Sequence, residues 1–123
     1  KADNVQVIQF WDNFNYLNNR FAPDGKEIGC EHRLNHHKDP DDFIALSIRE
    51  YCQQAKEQNL PFIDHTELHK ILTSSVEYEY VASSKVINSR ITKKQVRCFL
   101  FKTPAKKARD ERDAAERKAK GAK

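Results

Sequence analysis

The stretch SSKVINSRITKKQVRCFLFK, residues 83–102, decides how the rest of the chain is interpreted. Its pattern predicts a short helix over 83–91, a turn over 92–94 and a strand over 95–101. It holds six cations and no acid, whereas residues 1–82 hold 8 Lys and Arg against 14 Asp and Glu. The cations are Lys85, Arg90, Lys93, Lys94, Arg97 and Lys102. A basic patch on an acidic body is expected of a phosphate-binding surface, although many runs of surface cations are only a solvated face.

The composition allows one small folded domain and a charged tail. The chain has 123 residues, of which 38% are apolar and 33% charged, so it can build a modest core. No apolar run approaches the ~20 residues that a membrane-spanning helix needs, and no signal peptide is recognisable. Because the chain begins with Lys1 and contains no methionine, we expect it to be an excised fragment.

The three cysteines favour a reducing environment. Cys30, Cys52 and Cys98 cannot all pair within one chain. Cys52 and Cys98 fall at apolar positions of a predicted helix and a predicted strand, where a free cysteine behaves as a small hydrophobic residue. We therefore expect a cytoplasmic, intracellular protein with no membrane association.

Residues 1–38 are predicted to be an aromatic segment and a polar loop, both packed on the core. Apolar side chains recur at helical spacings within 5–21, and they are Val7, Phe10, Trp11, Phe14, Leu17 and Phe21. The spacing favours a helix capped by Asp3 or Asn4, with a strand over 5–10 as the alternative. So many aromatic residues at this spacing indicate core packing and not a platform for stacking bases.

Residues 39–103 are predicted to be the main domain, and its first element is a core helix over 39–59. Asp39 is the expected cap of this helix, and Pro40 suits its first turn. The short apolar segment 60–63 contains a proline, which restricts it to a strand edge or an extended connector.

A second helix is predicted over 64–74, where Asp64 and Glu67 form a capping box. Residues 75–80 alternate as a strand does, or they form a turn between two helices with the aromatic side chains packed beneath. Residues 104–123 have no apolar stripe and are expected to be a charged tail that is either flexible or a solvent-exposed helix.

The order of these elements predicts a mainly α protein with a small β component. Helix, short strand, helix, helix and strand follow one another as in a winged helix-turn-helix domain, here with an extra N-terminal helix and the charged C-terminal tail. The helix over 83–91 is in the position of a recognition helix, and the strand over 95–101 is in that of the first wing strand.

The basic stretch offers side chains suited to DNA. On a recognition helix, Asn88, Ser89 and Arg90 would contact base edges, Asn suiting adenine and Arg suiting guanine. The flanking cations are better placed for phosphates. With them, the predicted nucleic-acid-binding set is Lys85, Asn88, Ser89, Arg90, Lys93, Lys94, Arg97 and Lys102.

The segments HTELHKILTSS and VINSRITKKQVRCFLFK resemble the carboxy-terminal winged-helix segment of replication proteins from phages and other mobile elements, of the primase–helicase kind. The resemblance covers residues 39–103 and rests on a helix followed by an RCFLF-type strand. It implies a module that binds DNA, or docks a replication partner, without being the enzyme itself. A Walker A glycine loop is absent from the chain.

Two other functions stay open. One is a protein-interaction module that docks a replication partner through the winged-helix surface or the aromatic N-terminal surface. The other is a metal-dependent nuclease, which would need a set of metal-binding side chains.

The candidate metal ligands do not follow a known pattern. One group lies in the polar loop and consists of Cys30, His32, His36 and His37, whose spacing matches none of the usual zinc patterns. His65 and His69 stand four apart and share a helix face, but HTELH is not the HExxH motif of zinc proteases. We therefore expect no metal, no other cofactor and no enzymatic activity.

Overall fold

The structure is a computed structural model that describes residues 3–18, 33–61 and 63–121. Its elements, in chain order, are α1 (Val5–Asn18), β1 (Phe43–Leu46), α2 (Ile48–Glu57), α3 (His65–Leu72), β2 (Glu79–Asn88), β3 (Gln95–Lys102) and α4 (Pro104–Gly121). The strands form one antiparallel sheet in the order β1-β3-β2.

The predicted fold class, mainly α with a winged helix-turn-helix core, is wrong. Four helices and a three-stranded antiparallel sheet among the described residues make a mixed α/β domain. The segment predicted as a recognition helix, 83–91, belongs to β2 and the loop after it. Its serines and asparagine are weak helix formers, and Val86 and Ile87 are β-branched, so pairing with β3 decides its conformation.

The helix predicted over 39–59 begins later than expected, because residues 43–46 form β1. This strand pairs with the end of β3, and Leu46 lies opposite Phe99. Ser47, not Asp39, caps α2, and its side chain accepts a hydrogen bond from the Glu50 backbone N–H. A side chain that caps the backbone this way removes one of the unpaired donors at a helix start.

Helix α1 is a core element, as its apolar spacing predicts. Asn4 caps it, because its Oδ1 accepts a 2.9 Å hydrogen bond from the Val7 N–H. Trp11 packs edge-on against Phe101 of β3, and its indole N–H donates to Ser75 Oγ at 3.0 Å. The buried apolar side chains of α1 are Val7, Phe10, Trp11, Phe14 and Leu17, while Phe21 lies outside the described residues.

The positions predicted for the helix over 64–74 and for the strand over 95–101 are confirmed by α3 and β3. Asp64 caps α3 by accepting a hydrogen bond from the Thr66 N–H. Successive strand residues point to opposite faces of a sheet. Cys98 and Phe99 are both buried, so the central strand β3 is covered on both faces at these two residues.

Helix α4 leaves the domain at Thr103. The Thr103 hydroxyl donates to the Asp41 carbonyl at 2.8 Å and accepts from the Lys106 N–H, which joins the start of the helix to the body. No described residue of α4 is buried, and residues 111–121 are exposed throughout. None of the helices that the structure describes is both long and apolar enough to cross a bilayer.

Candidate nucleic-acid interface

Strands β2 and β3 extend beyond β1 as a two-stranded ribbon. β1 pairs with β3 only between Phe99 and Lys102, whereas the pairing of β2 with β3 continues to Asn88 and Gln95. The outer four residues of each strand therefore extend about 13 Å past β1. We call residues 85–98 the basic ribbon.

Cations occupy four of the nine exposed positions of the basic ribbon. Lys85, Lys93, Lys94 and Arg97 are exposed, and Arg90 is half-buried. No acid occurs anywhere in residues 83–102. The predicted base-contacting residue Asn88 is also exposed, at the end of β2. The ribbon is therefore a positively charged extension of a body whose residues 1–82 carry more acids than bases.

The cations of the strands are distributed over both faces of the ribbon. Val86 lies opposite Arg97, and Lys85 lies opposite Cys98. Side chains that are directly opposite in an antiparallel pair share a face, and neighbours along a strand alternate. Arg97 therefore lies on the face of β3 that leads to Phe99, whereas Lys85 lies on the other face.

The tip of the ribbon is a turn that hydrogen bonds hold in place. The backbone N–H of Ser89 donates to the Lys94 carbonyl at 2.9 Å, and the N–H of Lys93 donates to the Ser89 carbonyl at 3.0 Å. Ser89 Oγ accepts two further hydrogen bonds, from the N–H groups of Ile91 and Thr92. Lys93 has a φ of +61°, in the left-handed region. The turn therefore has a defined backbone while both of its lysines stay exposed.

His36 joins this tip to the body of the domain. Its Nδ1 lies 2.7 Å from Ser89 Oγ, and its Nε2 lies 3.0 Å from Glu50 Oε1. Since Ser89 Oγ already accepts from two N–H groups, its hydroxyl hydrogen is the donor to Nδ1, which assigns the remaining proton to Nε2. The Arg90 N–H also donates to the His36 carbonyl at 3.2 Å.

Two members of the predicted nucleic-acid-binding set, Ser89 and Lys102, are engaged by other residues of the protein. Ser89 is 2% exposed and lies beneath the tip, where its hydroxyl bonds His36. Lys102 lies at the base of the sheet and forms a 3.1 Å ion pair with Asp110 of α4. The Asp110 carboxylate also binds Lys106. The hydrogen bond from Lys106, followed by the one from Lys102, lowers the pKa of Asp110. The exposed, cationic part of the set lies in the basic ribbon.

The candidate metal ligands of the polar loop do not form a metal site among the described residues. Cys30 and His32 lie outside them, and His36 bonds Ser89 and Glu50. His37 packs against Phe43, and burial is the main reason that its pKa is lowered. Across residues 3–18, 33–61 and 63–121, no group of three or more His, Cys, Asp or Glu side chains forms a possible metal site.

Three aromatic residues of α1, Phe10, Trp11 and Phe14, do not present a docking surface. Phe10, Trp11 and Phe14 are 1%, 4% and 0% exposed. Their rings pack on one another and on Tyr51, Tyr78 and Phe101. An interface through these rings would require the core to open.

A cleft lies where the basic ribbon meets α3 and the first turn of α2. We call it the α3–ribbon cleft, and its volume is about 450 Å³. Its described lining contains two arginines, two histidines and no acid; it consists of Ser47, Ile48, Arg49, His65, His69, Ser83, Ser84, Gln95, Val96, Arg97 and Phe99. The positive end of the α2 dipole adds to the potential of this cation-rich surface.

Three rings form a continuous row at the α3 side of this cleft. The ring centroids of His65 and His69 are 4.7 Å apart, and those of His69 and Phe99 are also 4.7 Å apart, both pairs edge-on. The pKa of His69 is lowered mainly by burial and, to a smaller extent, by the neighbouring His65. His65 is exposed at the outer end of the row.

The sequence prediction missed Arg49 and the cleft as a whole. A core helix over 39–59 would have Arg49 in its middle, whereas Arg49 lies in the first turn of α2. The pair His65 and His69 was visible from the i, i+4 spacing, but its proximity to Arg97 comes from the packing of α3 beside the sheet. Comparisons with known protein families, curated proteins and solved structures find no match to this chain. The replication role implied by the resemblance stays a prediction.

Proposed function

We propose that this protein binds nucleic acid, and DNA in particular, through the basic ribbon. The observation that supports this most directly is the combination of shape and charge. Two strands extend past the third, and the ribbon that they form exposes four cations, two in the strands and two in the connecting turn, in a stretch without acids. A two-stranded ribbon fits the major groove of B-DNA, which is about 12 Å wide.

The turn at the tip suits this task because it is ordered before any partner arrives. Ser89 and His36 hold the loop, so Lys93 and Lys94 need little further ordering to meet a phosphate. Binding costs less free energy when the contacting segment is already in its bound conformation. Phosphate contacts by lysine and arginine release counterions, and this makes the affinity depend on salt.

The test measures fluorescence anisotropy of a labelled DNA duplex over a series of salt concentrations. The variant Lys93→Asn, Lys94→Gln removes both tip cations. Asparagine is chosen at position 93 because it tolerates the positive φ found there. We expect the slope of log affinity against log salt to fall by about 2, with about a tenfold loss of affinity at low salt.

The matched control is Lys56→Gln, Lys118→Gln, which removes the same charge from exposed positions outside the ribbon. It should change the affinity for duplex less than about twofold, because long-range screening weakens the effect of distant charges. Equal losses in the tip variant and in this control would reject the ribbon as the binding surface.

A further inference from the structure

The α3–ribbon cleft contains side chains that have no role in the proposed contact between the basic ribbon and the major groove of DNA. Arg49 lies in α2 and His65 in α3, outside the ribbon, yet both line one concavity with Arg97. The volume of about 450 Å³ lies in the range of small-ligand pockets, ~300–1,000 Å³. A cleft of this volume has room for a group of the size of one nucleotide.

We infer that the α3–ribbon cleft binds one nucleotide of an unpaired strand, with its phosphate at Arg49 and Arg97 and its base against His65. This inference rests on the proposed binding of nucleic acid, and it adds that the protein engages single-stranded DNA at a second place. A partner with a duplex and an unpaired end would contact the ribbon and the cleft together.

The phosphate part of the inference follows from the charges around the cleft. Arg49 and Arg97 come from α2 and β3, and no acid is among the described residues that line the cleft. Arginine presents a planar fork of donors that matches the oxygens of a phosphate. Another concavity near the sheet, beside Pro40 and Thr103, is lined by Asp41 and by no lysine or arginine among the described residues. The concavity beside Pro40 therefore lacks the charge for a phosphate.

The base part of the inference follows from the row of rings. Phe99 is buried and supports His69, which in turn contacts His65 at the exposed end. A ring that is held by neighbours offers a stacking surface at a small cost in side-chain ordering. Stacking of a base on an aromatic or imidazole ring is tolerant of sequence and is a common device of single-strand binding.

The test compares a labelled six-nucleotide oligothymidylate with the labelled duplex. The variant Arg49→Gln, His65→Ala removes two cleft side chains that lie outside the ribbon. We expect it to weaken oligothymidylate binding about tenfold or more and duplex binding less than about twofold. Lys56→Gln, on α2 but not among the lining residues of the cleft, serves as the control and should leave both affinities unchanged.

A second measurement separates the phosphate from the base. Deoxythymidine 5′-monophosphate and inorganic phosphate are titrated into the isotopically labelled protein, and the imidazole resonances of His65 and His69 are followed by NMR. We expect the nucleotide to bind more tightly than phosphate and to shift the ring resonances of His65. Equal affinities for the two probes would overturn the placement of a base against His65.

The outcomes distinguish this inference from the proposed function. If the tip variant loses duplex affinity while the cleft variant keeps full affinity for oligothymidylate, the cleft inference is wrong and the ribbon proposal stands. If the cleft variant loses oligothymidylate affinity while the tip variant keeps the duplex, the cleft inference stands and the ribbon proposal fails. If neither variant differs from its control, both are rejected.

Discussion

Replacing His36 by alanine is expected to destabilise the domain and to release the tip of the basic ribbon. His36 is 2% exposed and makes two side-chain hydrogen bonds, one to buried Ser89 and one to the more exposed Glu50. Loss of the imidazole leaves a buried hydroxyl donor without its acceptor, which costs about 1–3 kcal/mol. The cavity adds a further cost of about 1–2 kcal/mol, below that of a Phe to Ala change because the ring is smaller. We expect a total loss of about 3 kcal/mol in the free energy of unfolding.

A double-mutant cycle identifies the contact responsible. Ser89→Ala alone is expected to cost about 1–2 kcal/mol, since the N–H groups that it leaves belong to exposed loop residues that water can reach. The double variant should cost less than the sum of the two single variants by about 1 kcal/mol, because both remove the same hydrogen bond. His37→Ala, at the half-exposed neighbouring position, is the control and should cost less than about 1 kcal/mol.

The assay is urea unfolding followed by the fluorescence of Trp11, which is the single tryptophan of the chain and is 4% exposed. Native-state hydrogen exchange of the amides of residues 89–94 reports the tip directly, and His36→Ala should accelerate that exchange at temperatures well below unfolding. Additive energies for His36→Ala and Ser89→Ala, or unchanged exchange at the tip, would show that His36 does not hold the ribbon.

Three further predictions concern single residues. Asp64→Ala removes the side chain that caps α3 by accepting a hydrogen bond from the Thr66 N–H. It should lower the free energy of unfolding by about 1 kcal/mol in the same urea assay. An unchanged urea midpoint would contradict the role of the cap. Burial raises the pKa of Cys98 to about 12, so a thiol reagent at pH 8 should label this cysteine only after unfolding. Mass spectrometry of peptides measures the labelling. Rapid labelling in the native state would show that Cys98 is not covered. Burial, and then the nearby His65, lower the pKa of His69, so the folded chain binds that proton more weakly than the unfolded chain. The free energy of unfolding should therefore decrease as pH falls below the ordinary histidine value of 6.5, and His69→Gln should reduce that decrease.

Sequence patterns within one short segment were sufficient to predict some of the helices and strands. The spacing of aromatic residues in α1, the Asp64 cap of α3 and the alternation within β3 each lie inside one short segment. A helix face, a cap or a strand that is apolar on both faces is specified by neighbours in the chain, and these elements are where the sequence predicts. The charge of the basic ribbon is also a property of the sequence alone.

The conformation of residues 39–47 and 83–91 needed partners that are distant in sequence. Residues 43–46 have apolar side chains that fit a helix stripe as well as a strand, and their pairing with Phe99–Lys102 makes them β1. Residues 83–88 have no strong alternation, because they lie in an edge strand with exposed positions and irregular register. Their pairing with Gln95–Cys98 makes them β2.

In the candidate site, too, some features depend on the sequence alone and others on the tertiary structure. The sequence by itself determined which residues carry positive charge, and it determined the spacing that puts His65 and His69 on one helix face. Only the tertiary structure decided that Ser89 is buried against His36, 53 residues away, and that Arg49 meets Arg97 in a cleft. The physical reason is that charge and helical periodicity belong to the chain, whereas a hydrogen bond between buried groups and a concave surface exist only once separate segments have packed together.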